Sequence, residues 1–207
     1  MGAWEDRVVP RLVDRALRGP DIEALRARVC AGVSGDVLEL GFGSGLNVPH
    51  LSSEVATLSA VEPSDLGWSL SEDRRRNSRV HVERVGLDGQ RLAASEASYD
   101  VVLSTFTLCT IPDVEQALAE VRRVLRPTGS FHFLEHGLAP QAGVATWQAR
   151  LEPLQRRVAG GCHLTRDIAS LVQAAGLEII ELSTDYLPGP RVARPWSFGY
   201  LGRAAPV

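Results

Sequence analysis

The segment Val37-Leu-Glu-Leu-Gly-Phe-Gly-Ser-Gly45 decides how this 207-residue chain is expected to fold. Its apolar half predicts a buried strand, and its glycines predict a tight turn that opens a helix. A second apolar run, residues 55–61, ends at Glu62, 21 residues after Gly41. A strand, a glycine turn, a second strand and an acid at its tip together predict a pocket for the ribose of a nucleotide-like cofactor.

The spacing of the glycines indicates which cofactor the turn accepts. Gly41 allows unusual dihedral angles, and glycines at 43 and 45 remove Cβ atoms that would block a ligand lying against the backbone. A dinucleotide site would have a Gly or Ala five positions after the first glycine, where Leu46 stands. Glu39 places a carboxylate beside the turn, which repels a pyrophosphate and suits an ammonium or sulfonium group. The turn therefore favours a cationic cofactor.

A cofactor with a ribose, an adenine and a positive charge is S-adenosylmethionine, and the sequence here resembles the class I S-adenosylmethionine-dependent methyltransferases over roughly residues 35–133. The segments 87–92, 99–109 and 121–129 carry the same resemblance, with a mild departure at Thr128, where the family usually has Pro-Gly-Gly. The resemblance implies a Rossmann-like sheet of seven mostly parallel strands, with helices on both faces and an antiparallel last strand.

The remaining apolar segments are typical of the same α/β architecture. Helical segments separate the apolar runs, which lie at 37–40, 55–61, 80–85, 101–104 and 130–134. This alternation predicts a parallel sheet covered on both sides. Asp113 and Thr165 are predicted helix N-caps and Pro127 a helix stop, and residues 177–186 and 197–203 predict a final strand pair.

We expect one domain over residues 1–207. Residues 4–33 have helical periodicity, divided at Gly19-Pro20, so residues 1–33 are expected to form an N-terminal helical cap. Residues 138–164 are expected to hold an inserted helix on the substrate side. Its apolar stripe comprises Val144, Trp147, Leu151, Leu154 and Val158.

Composition argues against several classes of function. The net charge is −3, which signals no nucleic-acid footprint, and Arg74-Arg-Arg76 is expected to be a solvated face. No run of 18 apolar residues occurs and the N-terminus lacks a signal-peptide pattern, so we expect a cytoplasmic protein without a membrane span. The three cysteines are far apart in sequence and form no C-x-x-C, so we expect neither a disulfide nor structural zinc.

The resemblance also assigns residues to the cofactor site, which is expected at the carboxyl ends of the strands. In the family, an Asp after the third strand and the next amide hold the adenine edge, and these correspond to Asp88 and Gly89. The full set of expected cofactor-binding residues is Glu39, Gly41, Gly43, Gly45, Asn47, Glu62, Pro63, Asp88, Gly89, Ser104 and Thr105. The expected acceptor is a small, largely apolar molecule, bound between aromatic and apolar residues: Trp4, Phe42, Phe106, Leu108, Trp147 and Trp196.

Three residues are candidates for catalysis. His136 would titrate near neutrality, Glu135 would orient or polarise it, and His163 would reach the acceptor from the loop after the inserted helix. Neighbouring strand side chains point to opposite faces, which argues against a metal held by both Glu135 and His136. His132, deeper in the same strand, is expected to be structural.

The second half of the chain resembles the branch that contains the microsomal thiol S-methyltransferases. Segments 107–110, 133–136, 161–166 and 194–200 carry this resemblance. The chemistry expected is methyl transfer to a thiol, a hydroxyl or an activated carbon. Two alternatives remain at this point: a non-catalytic S-adenosylmethionine-binding module, and an NAD-dependent oxidoreductase, which the glycine spacing disfavours.

Overall fold

The computed structural model describes residues 4, 7–187 and 189–207. In this part of the chain seven strands form one sheet, in the order β3-β2-β1-β4-β5-β7-β6. The strands are β1 (Gly35–Leu40), β2 (Val55–Val61), β3 (His81–Gly86), β4 (Tyr99–Thr105), β5 (Leu125–His136), β6 (Leu177–Tyr186) and β7 (Phe198–Pro206). Strand β7 is antiparallel to both neighbours and the other pairings are parallel. The predicted fold class is confirmed.

Within residues 8–187 and 189–207, two α-helices precede the sheet and five more are inserted between its strands. They are α1 (Val9–Ala16), α2 (Pro20–Val29), α3 (Asp65–Leu70), α4 (Glu72–Arg76), α5 (Val114–Val124), α6 (Ala142–Val158) and α7 (Ile168–Ala174). Strand β1 contributes to a core on each face, because Leu38 and Leu40 pack with α5 and α7 whereas Val37 packs with α2. A strand covered on both faces reads as an unbroken apolar run, as residues 37–40 do apart from Glu39.

The strand order places a crevice beside β1. From β1 the chain continues outward through β2 and β3, and then crosses to β4 on the other side of β1. In open parallel sheets a ligand binds at such a switch point, outside the carboxyl ends of the strands. The glycine turn after β1 and the loop after β4 therefore face each other across this crevice.

Some of the predicted helix and strand ends are confirmed and others are wrong. Asp113 is the N-cap of α5, as predicted, but the predicted cap Thr165 is wrong: Asp167 caps α7 by accepting the Ser170 N–H. Helix α5 ends at Val124, before the predicted stop at Pro127. Strand β5 begins directly afterwards and is longer than predicted. Its register with β4 shifts at the segment that contains Pro127, and a strand tolerates the missing N–H of a proline at such an irregularity.

Helix α6 is present within the predicted insertion, but a polar side chain docks it. Gln148 is fully buried, donates to the carbonyls of Gly137 (2.9 Å) and Pro195 (3.1 Å), and accepts from the Ala139 N–H (2.9 Å). The predicted apolar stripe is largely open to solvent, with Trp147 55% and Leu154 61% exposed. That α6 covers the acceptor stays a prediction.

Candidate active site

The three glycines of the turn have positive φ angles but different surroundings. At Gly41 (φ +66°) an added Cβ would lie 2.0 Å from Thr107 Oγ1, and at Gly45 (φ +73°) 2.9 Å from the Phe42 ring. At Gly43 (φ +56°) the nearest atom would be 3.9 Å away. Gly41 and Gly45 are thus required by contacts within the protein, whereas only Gly43 of the three leaves its Cβ position open. That Gly45 also clears space for a ligand stays a prediction.

Glu62 lies buried at the tip of β2 and closes onto the turn. Its Oε2 accepts the Gly43 N–H (2.5 Å) and its Oε1 accepts the Ser64 N–H (2.7 Å). Burial raises the pKa of this carboxyl, and the two backbone hydrogen bonds oppose that rise. Pro63, the next residue, is exposed. The carboxylate is therefore held beside the open face of Gly43.

Glu39 is buried in a polar network beneath the turn. Asn47 donates to Glu39 Oε1 (2.7 Å) and to Thr105 Oγ1 (3.0 Å), and Arg26 of α2 donates to Asn47 Oδ1 (2.7 Å) and Thr105 Oγ1 (3.0 Å). Asn47 and Thr105 are expected to bind the cofactor, but these polar atoms form hydrogen bonds within the protein.

One oxygen of this network has no partner. Glu39 Oε2 is fully buried and accepts no hydrogen bond from any described residue. Burial raises the pKa of Glu39 to about 8, although Asn47 and Arg26 lower it. A buried carboxylate oxygen left unpaired is costly, and a cationic group is the partner that removes most of that cost. This observation fits S-adenosylmethionine, which carries an ammonium group.

The N-terminal cap contacts the glycine turn through Asp14 of α1. Asp14 Oδ1 accepts the Ser44 hydroxyl (2.6 Å), and Arg74 donates to the Ser44 carbonyl (2.7 Å) while lying 3.4 Å from Asp14. Arg18 also pairs with Asp14. The prediction that Arg74 belongs to a solvated face is wrong, because its guanidinium binds the glycine turn at Ser44. Ser44 lies 30 residues earlier in the sequence, so no local pattern indicates this contact.

The predicted adenine residues follow β3. Asp88 is exposed and its Oδ1 accepts the backbone and side-chain N–H groups of Gln90 (both 2.9 Å). An added Cβ at Gly89 would lie 3.4 Å from Leu40 and 3.5 Å from Ile111. Apolar side chains from β1 and from the loop after β4 therefore flank Gly89.

Glu135 fixes the loop that follows β4. Its carboxylate accepts the Ser104 hydroxyl (2.7 Å) and the Thr107 N–H (2.9 Å). Between them Phe106 has φ +53°, a strained angle for a residue with a side chain. Burial raises the pKa of Glu135 to about 7 against these hydrogen bonds. Among the described residues Glu135 makes no hydrogen bond to His136, so the expected contact between them is absent there.

His136 instead lies in a cluster with two cysteines. Cys162 Sγ is 3.7 Å from His136 Nδ1 and 3.6 Å from Cys109 Sγ, and all three residues are buried. Hydrogen bonding between the sulfurs lowers the pKa of Cys162, helped by His136, and raises that of Cys109. Burial opposes the imidazolium, but Cys162 and Glu135 raise the pKa of His136. No local pattern predicts this cluster, because 53 residues separate its cysteines.

Two further histidines that the sequence analysis considered, His163 and His132, have separate partners. His163 Nδ1 lies 3.0 Å from Glu152 of α6, which also accepts the Thr165 N–H (2.9 Å). The backbone N–H of His163 donates to the Cys109 carbonyl (2.8 Å). This hydrogen bond connects the loop after α6 to the loop after β4. His132 contacts the Val29 carbonyl (2.8 Å) through Nδ1, so its ring is satisfied inside the fold.

The apolar residues expected around the acceptor divide into two groups. Phe42 and Leu108 are buried in the cores, where Phe42 packs against Trp68 with ring centroids 5.5 Å apart. Phe106 is half-buried, and the three tryptophans Trp4, Trp147 and Trp196 are exposed. A shared acceptor wall therefore stays a prediction.

Comparison with known proteins defines the class. Residues 38–133 match the family model of a methyltransferase domain. The fold superposes on a methyltransferase from Thermotoga maritima, described as S-adenosylmethionine-dependent and a possible histamine N-methyltransferase, with TM-score 0.70, 18% identity and full coverage of both chains. That likeness shows the fold alone. With the family match, fold and site define an S-adenosylmethionine-dependent methyltransferase.

Two relatives narrow the assignment. Rat thiol S-methyltransferase TMT1B is 32% identical over 181 residues, which cover 84% of this chain and 72% of the relative. Human thiol S-methyltransferase TMT1A is 31% identical over 180 residues, covering 82% and 72%. This chain belongs to the methyltransferase family that contains these thiol S-methyltransferases. No helix among the described residues has both the length and the apolar character needed to cross a membrane.

Proposed function

We propose that this enzyme transfers the methyl group of S-adenosylmethionine to the sulfur of a small, largely apolar thiol. The observation that carries the proposal is the extent of the similarity to thiol S-methyltransferases. The alignment spans 181 residues, whereas the general methyltransferase model ends at residue 133. The similarity therefore extends outside the segment that the general model matches.

The proposed cofactor contacts follow from the geometry of the turn. Glu62 would accept the two ribose hydroxyls, and Glu39 Oε2 would accept the ammonium group. Gly43 leaves the space against which the cofactor lies, and Asp88 with Gly89 would hold the adenine edge. The remaining predicted residues act by shaping or supporting this pocket: Gly41, Gly45, Asn47, Pro63, Ser104 and Thr105.

The reaction places modest demands on the protein. When bound, S-adenosylmethionine supplies a methyl group on a positively charged sulfur. The crevice would align an acceptor sulfur with it and exclude water, and alignment alone is worth about 7–11 kcal/mol at best. A thiol also ionises far more easily than an alcohol, with a pKa of roughly 8.5, so a weak proton acceptor suffices.

His163 is the better placed of the two predicted proton acceptors. Glu152 holds its Nδ1 at 3.0 Å, an arrangement that fixes a histidine ring and leaves Nε2 available. His136 is occupied by its contact with Cys162. We assign Glu135 a positioning role, because its carboxylate holds the Phe106 loop and no hydrogen bond to His136 is described.

A matched pair of acceptors tests the proposal. Benzenethiol and phenol differ in one atom, and mass spectrometry with S-adenosylmethionine carrying a deuterated methyl group would detect either product. The proposal predicts a labelled thioether and little or no labelled ether. Glu62→Ala should raise the KM for S-adenosylmethionine by about 10-fold or more. With an alkyl thiol, which is mostly protonated at about pH 7, His163→Gln should lower kcat by roughly 10²-fold or more while leaving cofactor affinity unchanged. Methylation of phenols or carbon acids, with thiols untouched, would refute the thiol assignment.

A further inference from the structure

Three potential metal ligands converge beside the loop after β4. Cys109 belongs to that loop, His136 ends β5, and Cys162 follows α6. The ligand atoms of these three buried residues all lie within 4.8 Å of one another. Two residues before Cys109, Thr107 contacts the Gly41 carbonyl (3.5 Å), so the cluster lies on the same edge of the sheet as the glycine turn.

Two of the three separations between the ligand atoms are close to those of a tetrahedral metal site, and the third is at most 4.8 Å. With Zn–S bonds of about 2.3 Å and Zn–N bonds of about 2.0 Å, two thiolates of one tetrahedron lie about 3.8 Å apart, and a thiolate and a nitrogen about 3.5 Å apart. The observed separations are 3.6 Å between the sulfurs and 3.7 Å between Cys162 Sγ and His136 Nδ1. A disulfide would instead require the sulfurs to approach to about 2.0 Å, and it would leave the histidine without a role.

Charge and ligand type favour zinc. Two thiolates neutralise a divalent cation, so the filled site has no net charge and tolerates burial. Thiolate and imidazole are the ligands that zinc prefers. Two cysteines and one histidine form an incomplete tetrahedron, as in catalytic zinc sites, where the fourth position takes water or substrate.

We propose that Cys109, Cys162 and His136 bind one zinc ion and leave its fourth position for the sulfur of the acceptor thiol. This rests on the proposed function. Binding replaces the S–H bond by a Zn–S bond, and the proton passes to His163, the proton acceptor of the proposed function. The bound sulfur then forms a bond to the methyl carbon as the bond from that carbon to the sulfonium sulfur breaks. The bonding pair stays with the cofactor's sulfur, which departs as a neutral thioether.

Metal binding is measured on the full-length protein, independently of activity. After treatment with a chelator, the protein is dialysed against zinc and its metal content determined, and cobalt(II) is added in parallel to follow thiolate-to-cobalt absorption. We expect about one equivalent of zinc, and at least tenfold weaker binding in Cys109→Ser, Cys162→Ser and His136→Asn. Cys30→Ala is the matched control, since Cys30 is buried outside the cluster and should bind as the wild type does.

A measurement without variants guards against misfolding. X-ray absorption at the zinc edge of the wild-type protein should show two sulfur ligands and one nitrogen ligand, and adding benzenethiol should raise the sulfur count to three. Absence of zinc binding, binding that survives the cluster variants, or no response to benzenethiol would each overturn the inference. Thiol methylation at full rate by chelator-treated protein would overturn it while leaving the proposed function intact.

Discussion

Replacing Glu39 by glutamine should stabilise the protein, increasingly so as the pH rises. Burial raises the pKa of Glu39 to about 8 from its usual 4.5, so the folded state holds a proton that the unfolded state releases. Stability therefore falls as pH rises from about 4.5 to 8, and the loss is complete above the folded-state pKa. The glutamine keeps an oxygen for Asn47 and cannot ionise, so it removes this cost.

The expected size follows from about 1.4 kcal/mol per pKa unit. Between pH 5.5 and pH 8, the advantage of Glu39→Gln over wild type should grow by about 3 kcal/mol. Urea unfolding of both proteins at the two pH values measures it, and contributions of other groups cancel in the comparison. Equal pH dependence in the two proteins would refute the assignment of Glu39 as a buried, strained carboxyl.

The same substitution should weaken cofactor binding. A charge-assisted hydrogen bond is worth roughly 1.5–3 kcal/mol, so S-adenosylhomocysteine should bind about 10–100-fold more weakly to Glu39→Gln. At pH 7 the wild type should also release a proton on binding, because a cation beside Glu39 favours its charged form. Calorimetry in buffers of different ionisation enthalpy detects that proton, and the variant should show none from this site.

Four other substitutions probe the turn. Glu62→Ala should weaken S-adenosylhomocysteine binding by 10-fold or more, since the ribose loses a charged acceptor; calorimetry showing unchanged affinity would contradict this role. Gly41→Ala should lower the thermal midpoint strongly because its Cβ meets Thr107, whereas Gly43→Ala should fold with a penalty of about 1 kcal/mol and lose cofactor affinity; equal melting of the two would be inconsistent with the different surroundings. Asp14→Ala should weaken cofactor binding severalfold with a faster off-rate in stopped flow, as the cap loses its hold on the turn, and an unchanged off-rate would remove the cap from the site.

Features encoded locally were predictable from the sequence. The strand, the glycine turn and the acid of β2 lie within 26 residues, 37–62, and their chemistry is legible from spacing alone. The alternation of apolar runs and helical segments likewise predicts the parallel sheet. A parallel strand that is buried on both faces is recognisable from its own continuous apolar run, without knowledge of which strands it pairs with.

Long-range contacts were not predictable in this way. Arg26 reaches Thr105 across 79 residues, and Cys109 reaches Cys162 across 53, so no periodicity signals either pair. Adjacency in sequence predicts that Glu135 orients His136, yet successive side chains of a strand point to opposite faces. The sequence offers both Thr165 and Asp167 near the start of α7, and Asp167 is the N-cap, whereas the Thr165 N–H donates to Glu152.

The most direct test of the account is a crystal structure of the protein with S-adenosylhomocysteine. We predict the ribose hydroxyls on Glu62, the ammonium group within hydrogen-bond distance of Glu39 Oε2, and the ligand lying against Gly43. A ligand bound elsewhere, or a Glu39 Oε2 still without a partner in the complex, would contradict it.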